Sequence, residues 1–139
     1  MKTNVDVLCV GHASYDLVFA VGHHPDADEK TFAEKFISCG GGPAANAAVT
    51  VSRLGFKSAF AGYLGNDFYG QRHLEELNQA AVSTDLVVRG DSPTPLSAIF
   101  VKPDGRRTVV NYKGETAPLP VDSIDFSKWY PQVVLFDGH

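Results

Sequence analysis

The stretch from Cys39 to Gly65 constrains the fold most. It reads Cys-Gly-Gly-Gly-Pro-Ala-Ala-Asn-Ala-Ala-Val, continues to Leu54-Gly55, and ends on an apolar run closing with Tyr-Leu-Gly. Pro43 suits the first turn of a helix, where its missing N–H is no loss. Ala44 to Leu54 then has the small apolar residues of a helix packed closely on a sheet, and its nearly all-round apolarity predicts a buried helix. Gly55 fits the position just past the helix end. Lys57 to Leu64 follows as a buried strand. The free N–H groups at the helix start, behind Gly40, Gly41 and Gly42, offer a place for an oxygen-rich or anionic ligand. Three glycines alone are equally consistent with a tight strand-to-helix turn that binds nothing.

The flanking segments extend this unit. Val5 to Gly11 is valine-rich and reads as a buried strand. Asp16 then lies between two apolar stretches, where a carboxylate must be hydrated, hydrogen-bonded or ligand-facing. Residues 22–30 form a polar loop whose His and acidic residues match no metal spacing. Thr31 to Ser38 reads as a strand leading into the glycines. Gly65-Asn66-Asp67 offers an N-cap to a helix from Phe68 to Ala81. Gly70, His73, Leu74, Leu77 and Ala81 share its buried stripe; Arg72, Glu75, Glu76 and Gln79 are predicted to face water. Asp85 to Arg89 is a short strand. Leu96 to Lys102 and Arg107 to Lys113 form a hairpin about Pro103-Asp104-Gly105. Asn111 in its second strand asks for a cross-strand partner or a polar ligand. Gly114 to Pro120 is a loop, Val121 to Tyr130 a short helical turn, and Gln132 to Gly138 another buried strand. Strand, helix, strand with mostly apolar strands indicates a parallel α/β sheet. Ligands of such sheets gather outside the carboxyl ends of the strands, where Asp137 falls.

Composition removes several classes. The 139 residues carry 44% hydrophobic and 20% charged side chains, so a folded domain is expected. A net charge of −4 shows no nucleic-acid footprint. No apolar stretch approaches a membrane span and no basic, apolar leader opens the chain. Cys9 and Cys39 read as reduced thiols of a cytoplasmic protein.

Gly41, Gly42, Ala44, Asn46, Ala48, Gly55 and Gly65 together resemble the first signature of the ribokinase-like, or PfkB, carbohydrate kinases. Val7 to Asp16 is similar to that family's first strand with its sugar-contacting Asp, and Leu96 to Tyr112 to half of its β lid. The resemblance implies a three-layer α/β/α sandwich with an inserted small β-sheet lid, of which this chain is the N-terminal half. Core elements would lie near 5–16, 40–90 and 121–139, and lid strands near 17–38 and 96–113.

The implied reaction transfers the γ-phosphoryl group of ATP to a sugar hydroxyl with Mg²⁺. Asp16 would accept hydrogen bonds from the sugar; Ser14, Gly41, Gly42 and Asn46 would line its pocket. Ser14 stands where ribokinase itself has Asn. Asn111, with Gly-Gly-Gly-Pro-Ala-Ala and Ile124 to Trp129, is similar to the sulfofructose kinase branch, in which the lid Asn serves near an anionic group. Asn46 and His139 differ from the Thr and Arg of that branch. The second family signature, Asp-Thr-x-Gly-Ala-Gly-Asp, does not occur in this sequence. It carries the catalytic base and the anion hole, so no catalytic, nucleotide-binding or metal-binding residue is expected within these 139 residues. The chain alone is expected to be inactive, and to be poorly stable or to associate through exposed sheet edges. Lid-to-lid pairing, as occurs in the family, would give a homodimer.

The alternatives are a non-catalytic sugar- or nucleotide-binding module and a lid-mediated dimerisation module. A Rossmann dinucleotide fingerprint should directly follow the first strand, but Gly-His-Ala-Ser-Tyr follows Val10. A Walker P-loop fails because no Gly-Lys-Ser/Thr follows the glycines.

Overall fold

Residues 2–114 and 119–139 are described by the structure, a computed structural model. The loop expected over 114–120 falls mostly outside them. Two four-stranded sheets make up the chain. The strands are β1 (Thr3–Val10), β2 (Ser14–Ala20), β3 (Lys35–Gly41), β4 (Ser58–Gly65), β5 (Ser83–Gly90), β6 (Leu96–Val101), β7 (Arg107–Tyr112) and β8 (Trp129–Phe136). The core sheet has the order β5-β4-β1-β8 and is parallel throughout. The second sheet has the order β3-β2-β6-β7, with β2 and β6 parallel and both outer pairs antiparallel.

Helix α1 (Pro43–Arg53) begins where the glycines end. Gly42 precedes it at φ 97°, a conformation that side chains resist. A Cβ there would also lie 2.5 Å from the His12 carbonyl oxygen. Ala44, Ala45 and Ala48 are fully buried against Cys9, Ala13, Phe60 and Leu64. The helix is not buried all round, however: Asn46 and Thr50 face outward and Leu54 is 69% exposed. Only the alanine side meets the sheet, and its missing bulk lets the helix approach closely.

Helix α2 (Phe68–Gln79) is capped by Asp67, whose carboxylate accepts from the Gly70 amide at 2.7 Å. Gly70, His73 and Leu77 are buried as the spacing predicts. Ala81 instead leaves the helix at φ 58°. Glu76 is half-buried rather than facing water, because the helix meets β3 of the second sheet on that side.

The opposite face of the core sheet is covered by the segment around Ile124, with Leu119, Phe126 and Trp129 packed on Val5, Leu8, Ala59, Ala61 and Leu86. This is the α/β arrangement, with a second small sheet, that the resemblance implies. Among the described residues its third layer holds only a 3₁₀ turn, Val121–Ser123, because Trp129 and Tyr130 already belong to β8. β8 is not the buried strand its sequence predicts. Among the described residues it lies at the sheet edge with no helix packed on it, and Phe136 is 73% exposed.

Candidate functional site

β1 and β5 lead into the second sheet from their carboxyl ends, through residues 11–13 and 91–95. The second sheet therefore roots where a parallel sheet collects ligands. Ser14 and Asp16 lie on β2, on the face they share with Gly41 and Cys39 of β3; Ser14 is registered with Gly41 and Asp16 with Cys39. The Ser14 hydroxyl donates to Asp16 Oδ1 at 3.2 Å. Gly41 leaves the room that Asp16 occupies: a Cβ there would lie 2.3 Å from Asp16 Oδ2. A glycine and a carboxylate distant in sequence thus make one wall.

Asp137, just past β8, fixes the floor. Its Oδ2 accepts from the His12 amide at 2.8 Å and the Ala44 amide at 2.9 Å, and its Oδ1 from the His139 amide at 3.2 Å. The start of α1 therefore already receives a carboxylate from across the fold, in the place where a helix dipole favours negative charge. The rings of His12 and His139 lie 5.6 Å apart. Burial lowers the His12 pKa, and the charges of Lys113 and His139 lower it further; Asp137 and Asp16 oppose them without cancelling the shift.

The loop entering β6 is fastened by Asp67. Its carboxylate accepts from the Thr94 amide and hydroxyl, both at 2.7 Å. Burial raises the Asp67 pKa, but hydrogen bonds from Thr94 and Gly70 and the charge of Arg89 outweigh it, leaving the group below the ordinary carboxylate value.

The model of the pfkB family carbohydrate kinases matches residues 4–132. The chain belongs to this family. It is 32% identical to mouse ribokinase over 123 residues, covering 88% of this chain and 38% of that protein. It is 27% identical to a nucleoside kinase of Methanothermobacter thermautotrophicus, covering 89% of this chain and 42% of that one. The chain thus spans about two fifths of the length of these relatives. Among solved structures, a ribokinase from Thermotoga maritima superposes with a TM-score of 0.76 at 27% identity, covering 88% of this chain and 41% of its own. Arabidopsis thaliana ribokinase, solved with ribose and ATP, superposes at 0.70 and 25% identity, covering 81% and 37%.

In this family member Ser14, Asp16, Gly41 and Gly42 come together at the root of the lid. Asn46 and Asn111 lie elsewhere. Asn46 helps line a cavity of about 650 Å³ between α1 and α2, with Cys39, Gly40, His73 and Glu76; Asp16 does not line it. Asn111 is exposed on β7, but in register with Ser97, which is in register with Asp16. Asp16, Ser97 and Asn111 thus form one cross-strand row.

Sequence reasoning did not single out His12, placed Glu76 toward water, and placed Asp137 at a strand's carboxyl end without the amides it binds. Asp137 alone carried a signal, its place at a strand's carboxyl end. Both cysteines are free; Cys9 is buried, and burial raises both thiol pKa values. No helix among the described residues is long and apolar enough to cross a membrane.

The start of α1 does not fit the phosphates of ATP. The glycine-flanked start of α1 holds the Asp137 carboxylate, which would repel phosphate. No group of three or more His, Cys, Asp or Glu among the described residues is gathered for a cation.

Proposed function

We propose that the protein carrying this chain is an ATP-dependent kinase that phosphorylates a hydroxyl of a sugar or sugar derivative, and that this chain supplies the sugar-binding part. The observation that carries the reading is Asp16, hydrogen-bonded by Ser14 and set against the bare backbone of Gly41 at the root of the lid. A carboxylate so placed accepts hydrogen bonds from paired sugar hydroxyls. Gly42 lies beside them, Asn46 joins the sugar side as the lid closes, and that closure excludes water from the transfer. Family membership supports ATP as donor, and Mg²⁺ belongs to the proposal on the same ground. The base and the anion hole are assigned to the part of the family's length that this chain does not span, so the chain by itself is inactive.

Within this reading Asn111, in its row with Asp16, faces a substituent of the sugar. The resemblance of Asn111 and its neighbours to the sulfosugar branch makes an anionic substituent part of the proposal. The exposed lid residues Phe36, Ile37, Val109 and Val110, each more than 40% exposed, would be covered by a second copy. The site of action is cytoplasmic.

The test uses the full-length protein. A panel of sugars and nucleotides is screened by thermal shift, since a ligand bound only to the native state raises its apparent stability. ATP-dependent phosphorylation of the hits is then measured. At least one sugar should shift the transition and be phosphorylated, and Asp16→Ala should weaken its Kd by roughly tenfold or more. NAD stabilising the protein while every sugar fails overturns the reading, as does an unchanged sugar Kd in Asp16→Ala.

A further inference from the structure

Behind the wall that carries Asp16, a second carboxylate grips the lid. Tyr15 and Gly40 face each other across β2 and β3, one residue from Asp16 and from Gly41 respectively. Strand alternation turns them away from the sugar side and onto α2. Glu76 meets both: Oε2 accepts from the Gly40 amide at 2.6 Å and Oε1 from the Tyr15 hydroxyl at 3.2 Å. β3 is an edge strand, so without Glu76 the Gly40 amide would lack a ladder partner. Tyr69 and His73 share this face of α2, and their rings lie 5.5 Å and 6.4 Å from the Tyr15 ring. Gly40 admits His73, since a Cβ at that position would lie 2.2 Å from His73 Cδ2. Tyr15 is itself only 2% exposed.

We propose that Glu76 is a positioning residue that, by holding Gly40 and Tyr15 from behind, sets Gly41 and Asp16 at the spacing the sugar requires. The inference rests on the kinase reading for its substrate but not for its contacts. Asp16 projects from a strand that can tilt about the lid root, and a bidentate carboxylate on the reverse face stops that tilt. Both partners of Glu76 are adjacent in sequence to the residues it controls, so the displacement on its loss is transmitted through a single peptide unit on each strand. The mechanism itself assigns no role to Glu76 in proton or phosphoryl transfer.

The experiment compares Glu76→Ala, Glu76→Gln and Tyr15→Phe in the full-length protein, with two readouts. The first is amide hydrogen exchange at Gly40 without ligand. The second is the split between the KM for the phosphorylated sugar and the KM for ATP. Glu76→Ala should speed Gly40 exchange at least about tenfold and raise the sugar KM by about tenfold, with the ATP KM unchanged. Glu76→Gln keeps an acceptor for Gly40 and can donate to the Tyr15 oxygen, so both readouts should stay within about threefold of wild type. Tyr15→Phe loses one bond and should raise the sugar KM by about threefold. Faster Gly40 exchange with an unchanged sugar KM would reduce Glu76 to a structural role and overturn the proposal. Unchanged exchange in Glu76→Ala would overturn the grip itself. A wild-type protein that phosphorylates no sugar defeats the kinase reading, and Gly40 exchange still decides whether the grip exists.

Discussion

β4 and β8 flank the same strand, pair with it in the same direction and are both apolar, yet only one is shielded. Phe60 and its neighbours Ala59 and Ala61 on β4 are fully buried. On β8, Val133 is 56% exposed and Phe136 73%. The difference lies in the neighbours. β4 has α1 and α2 on one face and the segment around Ile124 on the other. Among the described residues, β8 has β1 on one edge and no strand on the other. Apolarity states what a strand needs, and only the surrounding elements decide whether it is met.

The largest expected effect breaks the covered side. Phe60→Ala should cost about 3–5 kcal/mol by leaving a cavity in the core. Phe136→Ala in the 139-residue chain should change stability by less than about 0.5 kcal/mol, because it removes a side chain already in water. Denaturant unfolding of both variants checks the contrast, and equal costs would refute it. The same pair in the full-length protein sharpens it. There a cost for Phe136→Ala approaching that of Phe60→Ala would show that the longer chain covers β8.

The next effect tests the cover from the side of α2. His73 is 2% exposed, and burial drives its pKa down to about 4 from 6.5; Glu76 and Asp16 offset part of the fall. The folded protein thus resists a proton that the unfolded chain accepts. Stability tied to neutral His73 is complete above pH 6.5 and is lost as pH falls from 6.5 toward 4, by on the order of 3 kcal/mol. His73→Leu should flatten the stability profile in that window. His12, also lowered, contributes a residual slope of the same sign. A profile unchanged by His73→Leu would show that the imidazole is not shielded.

The same contrast explains what could be read from the residues alone. The glycines, Pro43 and the alanine face announced α1 because turn chemistry and helical spacing are local. The Pro103-Asp104-Gly105 hairpin was legible for the same reason. Asp16 was conspicuous as a charge between apolar runs. Glu76 was not, because helical periodicity places it beside Glu75 and Gln79 on the solvent side; only β3, distant in sequence, supplies the Gly40 amide and brings β2 with Tyr15. β8 misled in the opposite direction, its valines promising a cover that no described element supplies. Asn46 sits between these cases, announced by its position in the glycine–alanine stretch but with an orientation that depends on how α1 meets α2.

Asn46 therefore gives the smallest and most discriminating test. It is exposed on α1, beside the cavity that Cys39, Gly40, His73 and Glu76 also line. Its replacement by leucine removes no core contact, and leucine is the better helix former, so stability should change by less than about 0.5 kcal/mol. If Asn46 reaches the sugar when the lid closes, Asn46→Leu in the full-length protein should weaken the sugar Kd by about threefold or more through a lost hydrogen bond. Calorimetric titration of the phosphorylated sugar measures this directly. An unchanged Kd would remove Asn46 from the sugar wall and leave it to the α1–α2 cavity. A large loss of stability would instead give it a structural role that its exposed position on α1 does not explain.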